Sequence, residues 1–357
     1  MEKVKLLSLF SGIGAFEKAL SNLKIDYELV GFSEIDKYAI ESYSAIHNVD
    51  KSLNIGDISN VNPNDIEDFD LMTYGFPCQD VSIAGGLNGF KENSETRSSL
   101  LWEAMKIAKY KKPKYLVAEN VRNLIGKKFK ADFEKWMQKL EEMGYNSYYS
   151  ILNAKDFNIP QNRERVFVVS IRKDIDNGNF KFPYGDISNT KLKDLLEENV
   201  DEKYNLSKEA QDRLKYQLHN ENKEILIIKN ATKRGYLEAI DGDGIDLAYP
   251  DSTTRRGRVQ SQRSQTLTTS DNLGVVVGTD IRKLTPLECW RLMGFDDEDY
   301  NKANKTLSDT YYKGKNKADS QLYKQAGNSI VVNVLQYLLY NLLVKSETHC
   351  LQERKYI

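Results

Sequence analysis

The string Gly75-Phe76-Pro77-Cys78-Gln79 places a thiol just past the apolar run Phe69 to Tyr74, on a backbone that the proline stiffens. A sulfur presented at a strand end in this way can act as a nucleophile. Single free cysteines are more often buried and inert, and the other two fit that description. Cys289 follows Thr285-Pro286-Leu287-Glu288, a capping box with proline at the first helical position, in a helix that Gly294 closes; Cys350 lies in a polar tail. Glu119-Asn120-Val121 ends a second apolar run, Tyr115 to Ala118, so Glu119 and Cys78 face one cleft if their strands are neighbours. A carboxyl held protonated there by burial could hydrogen-bond or protonate a ring nitrogen; a helix cap is the plainer reading. Gln161-Asn162-Arg163-Glu164-Arg165 opens a run that ends at Ile171 and brings two guanidinium forks to the sheet edge. They suit a carbonyl oxygen or a phosphate, or a structural Arg–Glu pair.

The glycine turn Phe10-Ser11-Gly12-Ile13-Gly14-Ala15-Phe16-Glu17 follows the first apolar run, Val4 to Leu9. A dinucleotide fingerprint would carry a third glycine where Glu17 stands, and that charge is unwelcome beside a pyrophosphate. A cofactor with a nucleoside and a cationic centre, such as S-adenosylmethionine, tolerates acids at the strand ends. Glu34, 20 residues beyond Gly14 at the end of the second run, can accept both ribose hydroxyls, and Asp57 can accept from an adenine amino group. Taken alone, the glycines fit an ordinary turn with acids capping helices equally well.

The elements that must position these residues are legible as alternating apolar runs and helical patterns. Runs at 4–9, 27–32, 69–74, 115–118 and 165–171 alternate with helical periods, those at 97–110 and 130–143 falling between the later strands. Such alternation predicts a mostly parallel α/β sheet with ligands at the strands' carboxyl ends. After about residue 180 the texture changes. Glu238 to Asp251 holds five acids and no base, whereas 252–270 holds Arg255, Arg256, Arg258 and Arg263 with no acid. Residues 328–344 return to an apolar helical face that needs a partner, so the C-terminus is expected to pack back on the first domain. The expected division is 1–180, 181–317 (including the helix that Thr285 opens) and 318–357.

At about 150 residues per domain, 357 residues give two domains with a sizeable core. Fifty-one basic residues balance 52 acidic ones; this does not argue against nucleic acid, because phosphates respond to local basic stripes. Three cysteines without Cys-x-x-Cys spacing exclude a disulfide framework, and three histidines without ligand spacing make a metal site unexpected. The N-terminus lacks the features of a signal peptide, and the stretch 330–344 is interrupted and too short to span a bilayer. A cytoplasmic protein with no membrane partner is expected.

Taken in order, these strings resemble the DNA (cytosine-5)-methyltransferase family, of prokaryotic or phage type. The resemblance is carried by Leu9-Phe10-Ser11-Gly12-Ile13-Gly14, Gly75-Phe76-Pro77-Cys78-Gln79, Glu119-Asn120-Val121, Gln161-Asn162-Arg163-Glu164-Arg165, Arg282 to Cys289 and Gln325-Ala326-Gly327-Asn328-Ser329. It covers most of 5–171 and 282–335 and departs at Ser8, where the family usually has Asp, and at Ala15, where it usually has Gly.

The resemblance implies an α/β fold: a Rossmann-like S-adenosylmethionine-dependent methyltransferase domain with a smaller, mixed target-recognition domain. It implies methyl transfer to carbon 5 of a cytosine flipped out of double-stranded DNA, with S-adenosylhomocysteine as product and no metal. Cys78 would add to carbon 6, Glu119 engage nitrogen 3, Arg165 hold the carbonyl oxygen with Arg163 beside it, and Asn120 order the pocket. Phe10, Gly12, Gly14, Glu34, Asp57, Pro77, Leu100, Asn328 and Ile330 match cofactor positions. Gln79, Ser82 and Arg97 would close over DNA. Thr266-Leu267 matches the pair found in recognition domains, where Arg255, Arg256, Arg258, Gln260, Gln262 and Arg263 are of the types that read base edges or phosphates. A monomer is implied, with or without a cognate restriction endonuclease; the target sequence is not.

Relatives acting on tRNA share Cys78 but carry a Cys-Phe-Thr string that is missing here. Amino-directed methyltransferases place a Pro-Pro-aromatic loop where this chain has Pro77-Cys78. A DNA-binding regulator that had lost turnover would not need Cys78, Glu119, Arg163 and Arg165 together.

Overall fold

The computed structural model describes residues 3–77, 97–185, 189–215, 225–252 and 254–345. Cys78, Gln79, Ser82 and Cys350 lie outside the described residues, as does the side chain of Arg97. The chain divides into two compact units. One comprises Met1–Asn153, Glu164–Tyr184 and Val332–Ile357, the other Ala154–Arg163 and Gly185–Val331.

The first unit is built on a six-stranded sheet of order β2-β1-β3-β4-β6-β5. The elements are β1 (Val4–Leu9), α1 (Ala15–Asn22), β2 (Tyr27–Ser33), α2 (Lys37–His47), β3 (Leu71–Tyr74), α3 (Leu101–Lys111), β4 (Tyr115–Val121), α4 (Lys130–Glu142), β5 (Tyr145–Asn153) and β6 (Glu164–Arg172). The first four strands pair in parallel, as their continuous apolar runs predict. β6 runs antiparallel to both β4 and β5. Leu7 and Leu9, Met72 and Tyr74, Leu116 and Ala118, and Val166 and Val168 alternate onto the core shared with α3 and α4. Trp136 of α4, fully buried, meets Tyr74 and Phe76 edge-on with ring centroids 6.2 and 5.7 Å away. It therefore supports the end of β3 from beneath.

The C-terminal helix, Val332–Leu339, packs against α1 and buries Val332, Leu335 and Leu338 among others, as its apolar face requires. An 18-residue window within Asp319–Lys345 reaches a mean hydropathy of 1.2, apolar and long enough by that measure to cross a membrane. Half of the window is buried, and Ser329 interrupts the helix with extended backbone (ψ 165°). This is how core helices of folded domains also behave.

The second unit carries α5 (Lys208–Leu214) and a hairpin of β7 (Leu226–Lys229) and β8 (Tyr236–Ala239). β9 (Gly244–Asp246), β10 (Val259–Gln260), β11 (Leu273–Val277) and β12 (Asp280–Lys283) form an antiparallel sheet of order β10-β9-β11-β12. Ile228, Ile245, Val276 and Ile281 make its core. Three helices follow: α6 (Pro286–Arg291), α7 (Asp297–Tyr312) and α8 (Asp319–Asn328). The capping box at Thr285 forms, with Thr285 N–H donating to Glu288 Oε2 at 2.8 Å and Glu288 N–H to Thr285 Oγ1 at 3.2 Å. Arg282 clasps the same buried carboxylate with both terminal nitrogens, at 2.8 and 2.6 Å. The Arg282–Cys289 string is therefore scaffold, and Cys289 is buried within it, its thiol pushed well above the usual range by burial.

Candidate active site

β1 and β2 end level, Leu9 opposite Ser33, and Glu34 fastens the two loops that follow. Its Oε2 accepts the Gly12 N–H at 2.9 Å, and its Oε1 accepts the N–H groups of Ile35 and Asp36, both at 2.8 Å. Asn54 fixes Glu34 in turn, accepting its N–H at 3.1 Å and donating to its carbonyl at 3.0 Å. Phe10 (φ 55°), Gly12 (φ 56°) and Gly14 (φ 80°) all take the left-handed region. For Phe10 that is a strained backbone, of a kind that collects at ligand sites. A Cβ on Gly12 would meet nothing within 4 Å, which leaves room for a ligand to approach the backbone; a Cβ on Gly14 would stand 2.1 Å from His47 Nε2. His47 Nε2 is bonded to the Ile13 carbonyl at 3.0 Å and so props the turn from below.

Glu17, whose charge counted against a phosphate cradle, is turned into the core and accepts the Tyr43 hydroxyl at 2.9 Å. Burial, reinforced by the Glu17 carboxylate, pushes the Tyr43 phenol well up, so it remains a donor. Asp57 is exposed and caps a short 3-10 turn, Oδ1 accepting from Ser59 N–H at 2.9 Å.

The end of β3 is clamped from two sides. The Asn120 side-chain amide donates to the Phe76 carbonyl at 2.9 Å, and Ser98 Oγ donates to the Pro77 carbonyl at 2.6 Å. Asn120 is itself oriented by Val121 N–H, which donates to its Oδ1 at 2.9 Å. The residue that follows Pro77 thus leaves from a backbone held by two buried side chains. Tyr74 pairs with Ala118, so β3 and β4 are the neighbours that a shared cleft demands, and Glu119 stands one residue past that pair. Because β6 is antiparallel, its first residues meet the carboxyl end of β4. Arg165 Nε lies 3.0 Å from Glu119 Oε1, both side chains largely buried. Leu100 ends the 3-10 turn Arg97–Leu100 and, like Phe10, packs on the core of the first unit.

The remaining site residues fall in the second unit, and several turn inward. Arg163 is buried, its terminal nitrogens donating to the carbonyls of Leu267 (3.1 Å), Gly327 (3.1 Å) and Ser329 (2.7 Å). Those N–H groups join three segments of the unit. Thr266 Oγ1 donates to the Asn162 carbonyl at 2.7 Å, and Gln161 accepts the Leu267 N–H at 3.0 Å. Gly327 is glycine because the Thr268 carbonyl lies 2.2 Å from where a Cβ would stand. Three motif strings are therefore one hydrogen-bonded knot, with Asn328 exposed and Ile330 half-buried at its edge.

Arg258 is 0% exposed, its guanidinium wrapped by the carbonyls of Asp246, Ala248, Tyr249 and Pro250. Gln262 likewise braces Asp241 and Asp243. Arg255 is half-exposed and paired with Asp246, while Arg256 and Arg263 are exposed. Among the described residues no cluster of three or more His, Cys, Asp or Glu could hold a metal.

Residues 4–343 match the family model for C-5 cytosine-specific DNA methylase. The chain belongs to this family. It is a DNA (cytosine-5)-methyltransferase that methylates cytosine in DNA. The chain is 35% identical to the orphan methyltransferase M.SPBetaI of Bacillus phage SPbeta, over 96% of this chain and 98% of that one. It is 36% identical to the type II methyltransferase M2.ScrFI of Lactococcus lactis subsp. cremoris, over 95% and 99%. The Dnmt2 methyltransferase of S. pombe superimposes with a TM-score of 0.63 at 21% identity, covering 97% of this chain and 99% of that one, a likeness of fold.

In this methyltransferase Asn54, His47 and Ser98 touch the candidate site only through backbone atoms, and nothing in their sequence context marks them. Ile35, an apolar side chain, is 73% exposed directly after Glu34. An isoleucine directly after a strand-end acid, outside any apolar period, is the one signal that could have marked it.

Proposed function

We propose that the enzyme, as a monomer, methylates carbon 5 of a cytosine flipped from a specific sequence in duplex DNA, through a covalent adduct of Cys78 with carbon 6. The observation that carries this reading is the Glu119–Arg165 pair, set beside the Phe76-Pro77 backbone from which Cys78 emerges.

The Cys78 thiolate adds to carbon 6 while Glu119 gives a proton to nitrogen 3, so the ring's electron pair moves to carbon 5. Arg165 orients Glu119 and holds the base's carbonyl oxygen. S-adenosylmethionine supplies the methyl group, and the open backbone at Gly12, the Glu34 carboxylate, the exposed Ile35 and the exposed Asp57 suit its nucleoside. Phe10, Gly14, Pro77 and Leu100 complete that side of the pocket. Solvent water takes the carbon 5 proton, the freed electron pair re-forms the carbon 5–carbon 6 double bond and expels Cys78 as its thiolate, and nitrogen 3 returns its proton to Glu119. Flipping the base costs a few kcal/mol of stacking and pairing.

The experiment is incubation with the methyl donor and a duplex carrying 5-fluorocytosine at the target, which blocks loss of the substituent at carbon 5. A stable cross-link at Cys78, absent in Cys78→Ala, is expected. Methylation by Cys78→Ala at the wild-type rate would exclude the adduct.

A further inference from the structure

We infer that Tyr249, flanked by Arg255, Arg256 and Lys233, is a DNA-contacting residue that helps set which sequence the enzyme methylates. The inference rests on the proposed reaction and adds the surface of the second unit that meets the duplex.

Arg258 Nη2 donates to the Tyr249 carbonyl at 2.6 Å and Nη1 to the Ala248 carbonyl at 3.2 Å, while Ser252 N–H also donates to the Tyr249 carbonyl at 2.9 Å. With its carbonyl held inward, Tyr249 takes φ 50°, and its side chain is 74% exposed. A bulky aromatic is disfavoured by that backbone, and its ring gains nothing from water. Strain and exposure at one residue, over-determined by a buried cation beneath it, are characteristic of a binding surface.

The surroundings specify the partner. The Arg255 guanidinium lies 6.0 Å from the Tyr249 ring. Ala231 N–H donates to the Arg255 carbonyl at 2.8 Å and Arg256 Nε to the Ala231 carbonyl at 3.0 Å, which sets the loop bearing exposed Lys233 alongside. The nearby acids are already matched: Asp246 by Arg255, Asp251 by Arg213 and Glu238 by Arg234. An exposed ring with two exposed cations nearby, Lys233 and Arg256, beyond those that neutralise the local carboxylates, fits duplex DNA. Lysine and arginine take phosphates, and the ring packs on a base step or a thymine methyl.

The test compares wild type with Tyr249→Gly, which removes the ring and relieves the backbone, and with the double variant Lys233→Ala/Arg256→Ala. Methylation of a randomised duplex library gives sequence preference, and titrations at several salt concentrations give affinity. Tyr249→Gly is expected to bind its target about tenfold more weakly and to accept more bases at one or more target positions. The double variant is expected to weaken target and non-target DNA alike and to lower the slope of log affinity against log salt by about 2. Wild-type sequence preference and affinity in Tyr249→Gly, or an unchanged salt slope in the double variant, would overturn the inference. So would tighter binding of the wild type to single-stranded RNA than to its target duplex. A wild-type enzyme that methylates no DNA would instead refute the proposed reaction, a result the library distinguishes directly.

Discussion

Arg165 Nε stands 3.0 Å from Glu119 Oε1 because β6 runs against β4. In a wholly parallel sheet the start of the strand bearing Arg165 would lie at the opposite edge, a strand's length from the acid. The reversal brings a cation to the carboxyl ends of β1, β3 and β4 without a long connection.

Glu119→Gln keeps the size of that side chain and removes its exchangeable acid proton. Single-turnover methyl transfer to duplex DNA is expected to slow by roughly 10²- to 10⁴-fold, the usual worth of a general acid. KM for DNA should change little. A rate within twofold of wild type would remove Glu119 from the chemistry.

Glu34 spends three acceptor contacts on the backbone of two loops. Glu34→Ala should therefore weaken the methyl donor's affinity more than that for DNA, which calorimetry with each ligand would read. Equal affinity for the donor would take Glu34 out of its pocket.

At Gly14 a methyl group would collide with His47 Nε2 in a backbone that already favours glycine. Gly14→Ala is expected to destabilise the protein by about 1–3 kcal/mol, measured as a lower denaturant midpoint. Removing the imidazole in Gly14→Ala/His47→Ala should recover only the collision, leaving the φ penalty. Strict additivity of the two single changes would show that the residues do not press on each other.

Burial holds the Cys289 thiol protonated well above its ordinary range. At pH 8 an alkylating reagent should leave Cys289 unmodified in the native protein and label it after denaturation, as peptide mass spectrometry would show. Labelling of the native thiol at the rate of a free one would contradict its packing.

The parallel strands and the helices α3 and α4 were legible in the sequence because buried strands and amphipathic helices leave unbroken periods. β5 was not. Tyr145–Asn153 is an edge strand made mostly of Tyr, Ser and Asn, with three of its nine residues exposed, and carries no long apolar run. The candidate site divides the same way. Glu34, Glu119 and Arg165 stand where strand ends had put them, since position along a strand fixes an edge. Arg163 sits just before β6 begins, outside the strand whose alternation would have aligned it with Arg165. Nor can composition tell Arg258, sheathed in carbonyls, from Arg256 in water; the acidic, glycine-containing stretch before it gives no sign of being a socket.

The ten residues Ala154–Arg163 belong to the second unit although they interrupt the sheet strands of the first, and Arg163 and Gln161 bind the Thr266-Leu267 segment within it. An engineer who grafts 185–331 from a relative to change the methylated sequence would leave that decapeptide behind, mated to a foreign host. Chimeras that transplant both pieces together should fold and retarget where single-piece exchanges fail.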